Sequence, residues 1–127
     1  MNKKVLFFAI FFIGSSILLG AFGAHALKAI LPIDKLTSFE IGIKYQMYSG
    51  LALLILGLSG KKIFLPKLFF NLNISGTFLF SFSIYLLCLN DFILIPKILL
   101  VPLTPLGGAM ILFSWVYLFI SIWKNKS

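Results

Sequence analysis

Arginine is absent from this sequence, and lysine supplies all eleven cationic side chains. Acidic residues are scarcer still, because Asp34, Glu40 and Asp91 are the three in the chain. Charged residues make up 11% of the sequence, where a soluble domain carries about 25%. Three carboxylates and one histidine leave little material for a nucleophile–base pair or a carboxylate pair, so we do not expect an enzyme.

Cysteine and histidine occur once each, as Cys88 and His25, far apart in the sequence. A single cysteine excludes an internal disulfide framework. A zinc site needs three or four such ligands, so we expect neither a metal nor a cofactor. The net charge of +8 would suit nucleic acid, but the lysines lie at the ends of apolar runs and not in a stripe with interleaved aromatics. We therefore expect no nucleic-acid partner.

Hydrophobic residues are what the sequence has in excess, at 61% of the chain against about 45–50% for a soluble domain. A globule of 127 residues has too much surface for its volume to hide that apolar area from water. The apolar runs are continuous and do not alternate with polar residues, as the strands of a membrane barrel do. A helix of about 20 residues is long enough to cross a bilayer. The sequence predicts an all-α membrane protein, a single four-transmembrane-helix bundle, with spans at about 5–24, 41–59, 68–89 and 102–123.

The second predicted span and the connection between the third and fourth spans depart from this regular pattern. The second span reaches spanning length only if it begins near Ile41 and Lys44 snorkels to the interface. Ser38 is then placed to cap that helix. The connection at 90–101 carries charges and prolines in an otherwise apolar stretch, so we expect it to lie in the interface or to fold back on the bundle.

Orientation follows from counting lysines on each side of the four predicted spans. One side holds both termini and the second connection, with Lys3, Lys4, Lys61, Lys62, Lys67, Lys124 and Lys126. The other side holds every acid in the chain and four lysines, Lys28, Lys35, Lys44 and Lys97. We expect the side richer in lysine to face the cytoplasm, which places both termini there and the protein in the plasma (inner) membrane.

The first 26 residues imitate a secretory signal, with two lysines, an apolar run and a small-x-small site at Ala24-His25-Ala26. The apolar run at 5–24 is longer than a usual signal core of about 7–15 residues. Ser16, Gly20 and Ala24 also recur at spacing four, which forms a groove for a neighbouring helix. We expect this helix to be retained.

The segment Gly20–Leu27, GAFGAHAL, resembles the signature of the YgdD-like small membrane family, domain-of-unknown-function family four-two-three. Three weaker pieces follow in the family's order: Tyr45-Gln46, GTFLFSFSIY at 76–85, and TPLGG at 104–108. The likeness runs from about Gly14 to Trp115. It implies four helices and an uncleaved first helix, and it implies no settled activity. The absence of arginine departs from the family.

Polar residues of the matched segments converge, in the predicted topology, on the side away from the lysine-rich one. This candidate outer-side polar cluster comprises His25, Glu40, Lys44, Tyr45, Gln46, Tyr85 and Thr104. His25 either binds a ligand or a proton, or bonds the last free carbonyls of its helix. Glu40 and Lys44 have the i, i+4 spacing of a helical ion pair, which lies either on the surface or within the membrane.

Small and hydroxyl residues indicate how the helices pack. We expect close helix approach at Ser16, Gly20, Gly23, Ala24, Gly76, Gly107 and Gly108. For Gly107 and Gly108 the expected partner is the first helix; the alternative is an anion site at a helix start. Asn73, Thr77, Ser81 and Tyr85 recur every four residues on the third helix, and we expect this stripe to bond other helices, not to line a conduction path.

Two functional hypotheses remain from the sequence. The first is a structural or accessory protein that binds membrane lipid or a membrane protein partner, which fits the small size, short loops and packing residues. A homo-oligomer is also possible as an assembly. The alternative is a small oligomeric transporter or channel that uses the outer-side polar cluster. Four short and unbroken spans leave little room for a pore, so the sequence favours the first hypothesis.

Overall fold

The structure is a computed structural model, and it describes residues 2–59, 66–93 and 95–124. The regular structure of these residues is helical. Four segments are long and apolar enough to cross a membrane, namely Lys3–Ala29, Ile33–Leu58, Lys67–Cys88 and Lys97–Lys124. The expected all-α fold with four spans is confirmed. Lys61, Lys62 and Lys126 of the orientation argument lie outside the described residues.

The spans are built from six α-helices and two shorter segments. Helix α1 is followed by a 3₁₀ turn, and the third span is interrupted by five residues of π-helix, called here the π segment. The elements in chain order are α1 (Lys3–His25), the 3₁₀ turn (Leu27–Ala29), α2 (Ile33–Leu58), α3 (Lys67–Thr77), the π segment (Phe78–Phe82), α4 (Ser83–Cys88), α5 (Lys97–Leu100) and α6 (Leu103–Lys124).

Helix α2 begins at Ile33, well before the expected start near Ile41. Pro32 occupies the N-cap position with φ −60°, and Asp34 lies in the first turn, where the helix dipole favours an acid. Ser38 is therefore inside the helix and does not cap it. The earlier start makes α2 26 residues and about 39 Å long, so residues placed by sequence at its outer end lie deeper.

Helices α1 and α2 pack as an antiparallel hairpin, and α6 packs against the third span. At the open end of the hairpin the backbone N–H of Asn2 donates to the carbonyl of Gly57 at 3.0 Å, and the Asn2 side chain caps α1 by accepting from Val5 N–H. This end, which carries Lys3, Lys4, Lys67 and Lys124, is called the lysine-rich end. The opposite end, with Asp34 and Asp91, is called the acidic end.

The bundle interior consists of two apolar clusters. The first lies toward the lysine-rich end and joins α1, α2, α3 and α6 through Val5, Ala9, Phe12, Leu53, Phe69, Phe70 and Leu118. The second lies toward the acidic end and comprises Leu27, Leu31, Phe39, Ile84, Tyr85 and Cys88. Large apolar side chains also face outward along α1 and α6, as expected where lipid is the solvent.

Gly107 of α6 crosses the third span at very short range. A Cβ atom at Gly107 would lie 2.3 Å from the backbone nitrogen of Phe80 and 2.8 Å from the carbonyl oxygen of Gly76. The expected packing of Gly107 and Gly108 on the first helix is therefore wrong: both glycines contact the third span. The absence of side chains at Gly76 and Gly107 lets the two backbones meet, which is the usual role of small residues between membrane helices.

The small residues of α1 divide between two environments. Ser16 and Gly23 are buried, and a Cβ atom at Gly23 would lie 3.4 Å from the ring of Phe39 on α2. Ala24 is exposed, and a Cβ atom at Gly20 would meet nothing within 4 Å. The seam between α1 and α2 thus follows Ser16 and Gly23 and leaves Gly20 and Ala24 at its margin.

Candidate functional site

Three of the proposed cluster residues lie on the surface near the acidic end. His25 is exposed in the last turn of α1, and Glu40 and Lys44 are exposed on α2. Among the described residues, Glu40 and Lys44 form no ion pair within 4 Å, and the ion pair found at this end joins Lys35 to Asp91. Glu40 and Lys44 line a small cleft of about 180 Å³ beside Gly20 and Ala24, and His25 is not part of it.

Gln46 and Tyr85 meet inside the bundle. The Tyr85 hydroxyl donates to Gln46 Oε1 at 2.7 Å, and Gln46 Nε2 donates to the carbonyl of Phe12 at 3.1 Å and to the hydroxyl of Ser15. Gln46 lies midway along α2 and not at its outer end, because α2 begins at Ile33. This buried polar network connects α1, α2 and the third span at a level midway along α2.

The polar stripe of the third span faces other helices, as expected. Asn73 Nδ2 donates to Ser114 of α6 at 3.1 Å, and the hydroxyls of Thr77 and Ser49 of α2 are hydrogen-bonded to each other at 3.0 Å. Ser81 donates to the carbonyl of Gly42 at 2.8 Å. These side chains are buried, and their hydroxyl groups and the Asn73 Nδ2 group are used in interhelical bonds. Asn73 Oδ1 is buried with no hydrogen-bond partner among the described residues. The stripe therefore connects the third span to α2 and α6.

Tyr45 and Thr104 lie on different helices, α2 and α6. The Tyr45 ring is exposed on the lipid-facing side of α2 and packs edge-on against Phe80 of the π segment, with centroids 5.2 Å apart. The Thr104 hydroxyl, near the start of α6, forms a hydrogen bond with Ser83. Of the seven cluster residues, the structure thus joins Gln46 to Tyr85 by a hydrogen bond and places Glu40 and Lys44 in one small cleft, while His25, Tyr45 and Thr104 lie apart from both pairs.

A larger cleft, called here the end cleft, opens at the acidic end between α2, α4 and the start of α6. Its volume is about 430 Å³, within the range of about 300–1,000 Å³ typical of ligand sites. Its polar lining consists of Asp34, Lys35, Ser38 and Thr104. Its apolar lining consists of Ile41, Ile84, Leu87, Cys88 and Val101.

Charge is concentrated at the mouth of the end cleft. Lys35 Nζ lies 2.8 Å from Asp91 Oδ2, across the connection after α4. The hydrogen bond and the positive charge of Lys35 lower the pKa of the Asp91 carboxyl below its ordinary value. Asp34 also lines the mouth and makes no ion pair within 4 Å among the described residues. The mouth therefore presents one cation that is part of an ion pair, Lys35, and one carboxylate that is not, Asp34.

A second cleft, called here the side cleft, opens on the lipid-facing side between α2 and α6. It has a volume of about 450 Å³, and its lining is mostly aromatic and aliphatic. The lining residues are Tyr45, Tyr48, Ser49, Phe80, Gly108, Ile111, Leu112 and Trp115.

Sequence reasoning identified Tyr45 and Thr104 but missed the two clefts that contain them. The available signal was the Pro32-x-Asp34-Lys35 sequence, which marks a helix start with two opposite charges beside it. The walls of the clefts come from three separate spans, and the sequence does not show how those spans are rotated about their axes.

One protein family and several membrane proteins are similar in sequence to this chain. The family described as "Protein of unknown function (DUF423)" matches residues 19–108. A UPF0382 membrane protein of Staphylococcus aureus (strain bovine RF122 / ET3-1) is 37% identical over 106 residues, which covers 83% of each chain. A UPF0382 membrane protein of Haemophilus influenzae (strain ATCC 51907 / DSM 11121 / KW20 / Rd) is 34% identical over 113 residues, covering 86% of this chain and 85% of the relative. No solved structure matches the chain significantly.

Proposed function

The chain belongs to the DUF423 family of membrane proteins, whose biochemical activity is unknown, and we propose that it is a non-enzymatic accessory protein that binds membrane lipid. The observation that carries this proposal is the end cleft. It combines an apolar interior with a charged mouth, the two environments that a phospholipid needs side by side. The cleft also lies at one end of the spans, where a head-group region meets hydrocarbon.

The distribution of reactive groups supports a non-enzymatic role. His25 and Glu40 are exposed on different helices, and Cys88 donates its thiol hydrogen to the carbonyl of Lys35 at 3.2 Å. No two of these groups form the nucleophile–base contact that covalent catalysis requires, among the residues that the structure describes. The polar side chains of the third span are likewise used in packing, which favours lipid binding over a transport path.

For location, we propose the plasma (inner) membrane, with both termini in the cytoplasm. The lysine-rich end brings together Lys3, Lys4, Lys67 and Lys124, and short loops rich in lysine remain on the cytoplasmic side. The acidic end then faces outward, and the end cleft opens to the outer leaflet.

Native mass spectrometry of the full-length protein tests the lipid-binding proposal. The protein is reconstituted in nanodiscs of bacterial lipid extract, and its mass is measured after release. We expect a full-length chain that keeps one phospholipid through extensive detergent exchange. A full-length homo-oligomer without lipid would overturn the proposal and favour the transporter or channel hypothesis. A lipid-free monomer in tight complex with another membrane protein would also overturn it.

A further inference from the structure

The end cleft and the side cleft lie on one continuous face of the molecule. Each of the three elements that line them passes from one cleft to the other in a single step of four residues: Ile41 to Tyr45 on α2, Ile84 to Phe80 on the third span, and Thr104 to Gly108 on α6. Four residues are about 6 Å of helix, close to one turn. The two clefts therefore follow one another along the face between α2 and α6, and this face is called here the α2–α6 groove.

The groove runs a long way along the membrane normal. On α2 its lining extends from Asp34 to Ser49, which is about 22 Å of helix. The groove thus begins among charges at the acidic end and continues beyond the midpoint of α2 through mostly apolar and aromatic surroundings.

The end cleft is elongated. It extends about 10 Å along α2, from Asp34 to Ile41, and has a volume of about 430 Å³. An elongated cleft with an apolar wall and charges at one end matches the shape of a lipid, which has a charged head group and flexible hydrocarbon chains.

The charges at the mouth indicate the head group. Asp34 carries a carboxylate with no ion pair within 4 Å among the described residues, and Lys35 offers an ammonium group already bound on one side by Asp91. Lys97 also acts electrostatically on Asp91, so these two carboxylates and two lysines have no net charge together, which suits a zwitterionic partner. A head group with both an ammonium and a phosphate complements this mouth, because the ammonium pairs with Asp34 and the phosphate with Lys35.

We propose that the α2–α6 groove holds the acyl chains of a zwitterionic phospholipid with an ammonium head group, anchored at Asp34 and Lys35. This inference rests on the proposed lipid-binding function and specifies the place and the class of lipid. Trp115 and Tyr48 would contact the deep end of the chains, and Phe80 of the π segment would form the floor.

The test uses full-length protein in nanodiscs containing equal amounts of phosphatidylethanolamine and phosphatidylglycerol, with native mass spectrometry identifying the lipid retained. We expect phosphatidylethanolamine to be retained in preference, and Asp34→Asn to reduce that preference by about tenfold through loss of one charged hydrogen bond. Equal retention of the two lipids would overturn the head-group assignment, and the proposed lipid-binding function would still stand.

Filling the groove tests its location. Gly108→Leu places a side chain in the side cleft, and Gly14→Leu is its control, because a Cβ atom at Gly14 meets nothing within 4 Å and the residue is exposed on α1. We expect Gly108→Leu to lose at least several-fold in lipid retention and Gly14→Leu to match the unmodified protein. Leu112→Trp, at an exposed position of the same cleft, provides a second filling variant should Gly108→Leu fail to fold. Retention unchanged by a folded filling variant would overturn the groove.

Discussion

The hydroxyl of Tyr85 donates a hydrogen bond to the side-chain oxygen of Gln46 at 2.7 Å, at a point where both side chains are buried. Gln46 in turn donates to the carbonyl of Phe12, so one amide connects three spans. In a bilayer no water competes for these groups, and each must find its partner inside the protein.

Loss of this contact should destabilise the bundle measurably. We expect Tyr85→Phe to lower the free energy of unfolding by about 0.6 kcal/mol and at most about 1.7 kcal/mol, the range measured for hydrogen bonds between membrane helices. Gln46→Leu should cost more, because it also removes the bonds to Phe12 and Ser15. Unfolding in mixed detergent micelles measures both. The double variant should cost less than the sum of the singles, and strict additivity would show that the two side chains do not interact.

Gly107 and Gly108 lie where α6 crosses the third span, and substitutions at these two adjacent glycines should have different effects. A Cβ atom at Gly107 would overlap the backbone of Phe80, and one at Gly108 would meet two ring carbons of Phe80 at 3.4 and 3.6 Å. We expect Gly107→Ala to destabilise the protein by about 1–3 kcal/mol, since the backbone must shift, and Gly108→Ala to be close to neutral. Thermal unfolding in detergent compares them. Equal stability of the two variants would mean that the α6 crossing is not as described.

These residues show which features of the fold could be predicted from the sequence and which could not. Continuous apolar runs were sufficient to predict four spans, since length and hydropathy determine whether a helix enters the bilayer. The rotation of each helix was not readable, so Gly107 was assigned to the first helix and Gln46 to the outer end. The early start of α2 at Ile33 was missed because its first turns carry Asp34 and Lys35, which resemble a loop. The shape of the two clefts depends on how α2, the third span and α6 are each rotated about their axes, so the clefts could not be predicted from the sequence.

The ion pair at the groove mouth should respond to acid in a defined direction. Lys35 lowers the pKa of Asp91, so the pair is present at neutral pH and is lost only as the pH falls through that lowered pKa. We expect an NMR titration of the Asp91 carboxyl carbon to give a midpoint below that of an ordinary aspartate. Lys35→Gln should return the midpoint toward the ordinary value. An unshifted midpoint in the unmodified protein would contradict the ion pair.

The exposed members of the polar cluster should be dispensable for assembly. His25→Ala and Glu40→Gln change side chains that are exposed near the acidic end, so we expect insertion and unfolding temperature to stay unchanged. Membrane fractionation after alkaline extraction checks insertion. Loss of insertion in either variant would show that the residue has a structural role and would end its candidacy as part of a functional site.

The central claim is that a phospholipid occupies the groove between α2 and α6, and photocrosslinking locates that lipid directly. The full-length protein is placed in nanodiscs doped with a phosphatidylethanolamine that carries a photoreactive group in its acyl chain, and crosslinked peptides are mapped after irradiation. We expect crosslinks to concentrate on residues 41–49 of α2 and 104–115 of α6. Crosslinks of equal frequency on the outward face of α1, at Phe7, Ile10 and Leu18, would show an unspecific lipid annulus and contradict the account.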